Sequence, residues 1–122
     1  PIPPTEDQVW AAAAGLKANV TDLAKWVTLQ LNSGRLPNGG SLFSEKQAGE
    51  MWSAQIPIRI SDPDPALKAT KPNFAAYGLG WSLRDYHGRK IVTHSGGLTG
   101  MVTLTLLVPQ EKLGIVVLTN QE

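Results

Sequence analysis

Four consecutive residues offer the chemistry in this chain, His94, Ser95, Gly96 and Gly97. They follow a short apolar run, Ile91 to Thr93, that reads as a strand entering a core. An imidazole titrates close to neutrality and can hold or pass a proton there. The two glycines let another group approach the backbone closely. Taken alone, the tetrad is also what an ordinary turn after a strand looks like. Ser95 as a nucleophile would need a Gly-x-Ser-x-Gly elbow, but Thr93 stands where the first glycine belongs and no strand-to-helix pattern follows. His87 and His94 lie without clustered carboxylates, so they make no convincing metal set, and His87 beside Gly88 reads as a solvated turn residue.

The composition narrows the classes of function. The chain has 122 residues, 42% of them hydrophobic and 17% charged, which suits a single domain over 1–122 with a modest core. Eleven basic and ten acidic side chains give a net charge of +1, so neither nucleic acid nor an anionic membrane is a favoured partner. There is no cysteine, hence no disulfide framework and no thiolate metal site. No apolar run approaches the roughly 18 residues of a membrane-spanning helix. The compartment stays open on these grounds.

The tetrad must be held by the elements around it. Thr5 and Gln8 have capping-box spacing and predict a short helix through Trp10 and Ala14, closed at Gly15. Val20, Leu23, Ala24, Val27 and Leu31 fall on one face of a helix over 20–33, capped by Asn19. Ser44 and Gln47 form a second capping box opening a helix over 44–53, with Phe43 placed to staple onto Ala48. Prolines 57, 63, 65 and 72 make the stretch from Ile56 to Pro72 an irregular excursion. Four strands are then expected, Tyr77–Tyr86, Lys90–Ser95, Met101–Val108 and Leu113–Thr119, joined by turns at His87-Gly88, Gly96–Gly100 and Pro109–Lys112. Short turns favour antiparallel neighbours, so the expected fold is α+β, a four-stranded antiparallel meander with packed helices. Ile115, Val117 and Thr119 alternate with Val116 and Leu118, and both sets are largely apolar, so both faces of the last strand should be covered. The four tryptophans read as packing residues.

Four collinear blocks resemble the C-terminal half of the serine β-lactamase, penicillin-binding protein and esterase superfamily. They are Gly15 to Trp26, Tyr77-Gly78-Leu79-Gly80-Trp81, His94-Ser95-Gly96 and Pro109 to Asn120. The His-Ser-Gly triplet is similar to the Lys/His-Thr/Ser-Gly triplet on that family's active-site strand. The resemblance implies a partial β-lactamase/transpeptidase-like fold and an acyl-enzyme mechanism without a cofactor. In that setting His94 and Ser95 would serve the substrate carboxylate or the proton relay. The N–H of Gly97 would supply half of an oxyanion hole, with Gly96 and Gly97 bare so that no side chain blocks the acyl group. Histidine in place of lysine resembles the D,D-peptidase, D-aminopeptidase and esterase branches. Periplasmic or secreted placement would follow from the resemblance alone.

Two further motifs of that family have no counterpart here. Ser-x-x-Lys sets a lysine one helical turn from the nucleophilic serine, but none of the seven lysines has Ser or Thr three residues before it. No Tyr-x-Asn or Ser-x-Asn occurs either. The expectation is therefore the C-terminal portion of a serine hydrolase domain, inactive alone. Its partners would be a small-molecule or peptide acyl substrate, and either another copy of the chain or the missing N-terminal part. The alternative is a non-catalytic binding module that kept the sheet.

Overall fold

The computed structural model describes residues 11–121. The Thr5–Gln8 capping box lies outside them. Three helices come first, α1 (Ala11–Ala14), α2 (Val20–Leu31) and α3 (Glu45–Met51). Six strands then form one antiparallel sheet in sequential order: β1 (Ile56–Pro57), β2 (Ala75–Tyr77), β3 (Ser82–Tyr86), β4 (Arg89–Leu98), β5 (Met101–Val108) and β6 (Leu113–Thr119). The fold is α+β, as the alternation of patterns implies, with six strands rather than four.

Local chemistry explains the helix starts. The Asn19 side chain accepts from the Asp22 N–H at 3.0 Å, satisfying a donor that the first turn leaves orphaned. At Ser44 the box closes both ways, Gln47 N–H to Ser44 Oγ at 3.2 Å and Ser44 N–H to Gln47 Oε1 at 2.8 Å. The Phe43 ring meets Trp26 edge-on, with centroids 6.2 Å apart. Helix α2 ends where the Lys112 ammonium donates to the Leu31 carbonyl at 3.1 Å, a cation at the negative end of the helix.

The two added strands come from places where periodicity alone misleads. The run Tyr77–Tyr86 is broken by a turn in which Gly78 N–H donates to the Trp81 carbonyl at 2.7 Å and Gly80 takes φ +78°. That conformation is open to glycine, so β2 folds back on β3. Within the proline-rich excursion, Ile56 and Pro57 pair with Tyr77 and Ala76, and Pro65–Thr70 winds into a 3₁₀ helix capped by Asp64. Asp85 fastens this excursion to β3 by accepting from Asn73 N, Asn73 Nδ2 and Phe74 N at 2.7–3.0 Å. Those bonds, the Asn73 side-chain amide first, hold its carboxyl below the ordinary aspartate range.

The core lies between one sheet face and helices α2 and α3. Val27, Trp81, Leu83, Val92 and Leu107 form its centre, with Leu31, Met51, Trp52 and Val116 packed around them. Val92 and Leu107 are fully buried and directly opposite one another. Gly114 lets α2 reach β6, since a Cβ there would sit 2.0 Å from Val27 Cγ1. On α2, Val27 and Leu29 are buried as apolar residues should be, but so is Gln30, whereas Val20 is 53% exposed. Val20 and Ala24 line an open groove above Lys112–Val116 instead of a closed core. The last strand also departs from expectation. Its residues alternate in burial, and Ile115 and Val117, on the face away from the helices, are each 44% exposed. Only one face of β6 is covered among the described residues.

Candidate active site

The position of the tetrad follows from two hairpin turns. His87 and Gly88 both take positive φ, 47° and 77°, the backbone of a two-residue type I′ turn. Such a turn makes Tyr86 and Arg89 a pair that exchanges both backbone bonds. The backbone groups of Arg89, Ile91 and Thr93 therefore face β3, and those of the intervening residues face β5. The β3 ladder ends at Ser82–Thr93, whereas the β5 ladder continues to Leu98–Met101. So His94–Leu98 is paired on one side only among the described residues. By the same alternation, the backbone groups of Ser95 and Gly97 point out of this open edge.

This extends β4 beyond its expected end at Ser95. The turn is not Gly96–Gly100 but the shorter Thr99-Gly100, with Gly100 at φ +76°. Gly96 and Gly97 lie within the strand, where pairing with Thr103 and Val102 supplies what their weak strand preference does not.

Successive side chains of a strand leave on opposite faces. His94 emerges on the helix-bearing face, beside Val92 and opposite Thr105, and its ring meets Trp81 edge-on at 6.4 Å between centroids and 85° between planes. Ser95 emerges on the other face, opposite Leu104. The two side chains are thus not clustered on one surface, and a ligand touching both must straddle the strand's open edge. All four tetrad residues are exposed. The glycines differ in what they accommodate. A Cβ on Gly96 would meet Thr103 Oγ1 at 2.8 Å, so that position is bare to admit a cross-strand neighbour. A Cβ on Gly97 would meet nothing within 4 Å, so no neighbour in the fold requires its absence. His87 stacks edge-on against Tyr86 at 4.3 Å in the exposed turn. No group of three or more potential metal ligands occurs among the described residues.

An antiparallel sheet in sequential strand order with helices packed on one face is a penicillin-binding-protein-like α+β fold. The Beta-lactamase family model matches residues 1–122, and the chain belongs to that family. The fold is similar to that of the octameric penicillin-binding protein homologue from Pyrococcus abyssi, with a TM-score of 0.67 and 23% identity over 86% of this chain and 21% of that one. Among curated proteins it is 32% identical to the unguisins hydrolase ungD' of Aspergillus campestris over 120 residues, 98% of this chain and 20% of that protein. Unguisins hydrolase ungD of Aspergillus violaceofuscus is also 32% identical, over 96% of this chain and 21% of its own length. The chain spans about a fifth of the curated relatives it matches.

Trp81 is the residue that composition and spacing assigned to packing alone and that the structure brings to the tetrad. Its place was readable in principle. It lies as many residues before the His87-Gly88 turn as His94 lies after it, so a two-residue hairpin sets the two side by side.

Proposed function

We propose that this chain supplies the substrate-binding strand of a serine hydrolase that works through an acyl-enzyme. The observation that carries the reading is the open edge of β4, which leaves the Gly97 N–H directed away from β5 with no side chain to obstruct it. A backbone N–H aimed at a developing oxyanion is among the larger electrostatic contributions to acyl transfer. His94 and Ser95 flank that edge on its two faces, suited to a substrate carboxylate or to a proton relay. The nucleophile comes from a Ser-x-x-Lys outside these 122 residues, since none lies within them. The substrate is an amide, ester or β-lactam of a small molecule or peptide.

A fluorophosphonate or β-lactam probe followed by mass spectrometry tests this in two arms. The 122-residue chain should stay unlabelled and hydrolyse nitrocefin and p-nitrophenyl esters no faster than buffer. The full polypeptide from the native gene should be labelled at a serine outside this chain, and His94→Ala should lower its kcat/KM by about 10²–10⁴. Labelling of Ser95 itself, or turnover by the chain alone, would overturn the assignment of roles.

Self-association belongs to the same reading. Among the described residues, Leu104, Ile115 and Val117 share the uncovered sheet face and β6 pairs with β5 alone, so edge and face both offer themselves to a second copy. Among the described residues no helix is long and apolar enough to cross a membrane. Sedimentation equilibrium at micromolar concentration should show species heavier than 13.1 kDa, and a lone monomer would refute self-association.

A further inference from the structure

We propose that Trp81 is a positioning residue for His94, a fixed wall that selects one orientation of the imidazole at the mouth of the open edge. The inference rests on the reading of His94 as a site residue. An exposed histidine on a strand ordinarily samples several staggered rotamers. Here the imidazole meets the Trp81 indole edge-on at 6.4 Å, within the range where aromatic pairs hold a preferred geometry.

Trp81 is unusually well anchored for a residue next to a turn. It is 6% exposed and packs with Leu83, Val92 and Leu107. Its carbonyl accepts from Gly78 N–H at 2.7 Å, and the next residue in that turn, Leu79, donates to the Met51 carbonyl at 3.0 Å. A Cβ on Gly78 would meet Met51 O at 2.4 Å, so the turn lies directly on the end of α3. The anchoring runs from α3 through the turn to Trp81, and from Trp81 to His94. Buried as it is, Trp81 acts on a ligand through His94 and not by touching it.

The test reads the His94 ring by NMR in the 122-residue chain, without substrate. In the unaltered chain the His94 ring protons should be displaced by the indole ring current, with a χ1 coupling typical of one rotamer. Trp81→Leu should abolish most of that displacement and average the coupling, and Trp81→Phe should restore part of both. The His87 signals, set by Tyr86, should stay in place throughout. Leu83→Ala loosens the same core without removing the wall and should leave His94 largely unmoved; it also serves if Trp81→Leu fails to fold. Unchanged His94 signals in folded Trp81→Leu would overturn the proposal. So would a Leu83→Ala chain in which His94 moves as far as it does without the indole. Because no turnover is measured, this result stands apart from whether His94→Ala impairs the full enzyme.

Discussion

The two halves of β4 are made of one continuous strand and do different work. From Arg89 to Thr93 the strand lies between β3 and β5, and its apolar residues Ile91 and Val92 are buried. From His94 to Leu98 it has lost β3, and every residue is exposed. The first half is fastened from both sides and carries stability. The second inherits its direction from the first and spends little of its own surface on packing, which leaves its backbone and side chains accessible. An exposed strand end can keep a fixed direction because the same strand is clamped up to Thr93, directly before it.

The comparison can be broken most forcefully at the clamp. Leu107→Ala, opposite Val92, should cost about 2–5 kcal/mol in urea denaturation, a large share of the stability of a domain this size. An equal loss from Leu98→Ala in the open half would contradict the division. Glycine substitutions come next in size. Gly78→Ala drives a Cβ against the backbone carbonyls of Met51 and Ser53, which cannot swing aside, and should cost about 1–3 kcal/mol. Gly97→Ala should leave the thermal midpoint within the effect of about 0.5 kcal/mol while impairing hydrolysis by the full polypeptide. Ser95→Ala should likewise be silent in denaturation, within about 0.5 kcal/mol, and a larger loss would mean the open half contributes to folding.

The smallest effect concerns pH. The Asp85 carboxyl is held below its ordinary range in the folded chain by the Asn73 amide and the Phe74 N–H. Its contribution is present above the unfolded aspartate value and is lost as pH falls through the lower folded one, beginning below about pH 4. Hydrogen exchange at Asn73 and Phe74 should accelerate in that window, and Asp85→Asn should weaken the acid dependence there. Protection that ignores pH would show that Asp85 does not fasten the proline-rich excursion.

The hairpin centres and helix caps were legible because their causes are local. Ser44 with Gln47 and His87 with Gly88 announce themselves in a few residues, and the β3–β4 register follows by counting outward from the turn. The split at Gly78–Trp81 was not legible, because its reason is the end of α3, distant in sequence. The length of β4 was hidden for a similar reason, since two glycines read as a turn until β5 pairs with them. Gln30 illustrates a third limit. Helical spacing from Val27 places it on the inward side, yet its polarity argues for solvent, and it is buried with neither carboxamide atom hydrogen-bonded among the described residues. The open edge beside the tetrad needed both registers together.

The order of the strands bears on how the sheet comes into being. Each strand pairs with the one next to it in the chain, without a crossover. Contacts between near neighbours in sequence require little loop-closure entropy, and such topologies form faster than those built from distant pairings. The β3–β4 hairpin can close around His87-Gly88 on a timescale of roughly 1–10 μs, with β5 and β6 adding in turn. During synthesis, β4 would therefore be aligned as soon as its two neighbours had left the ribosome. The open edge of β4 is set by the same event that seats Val92 between Leu83 and Leu107.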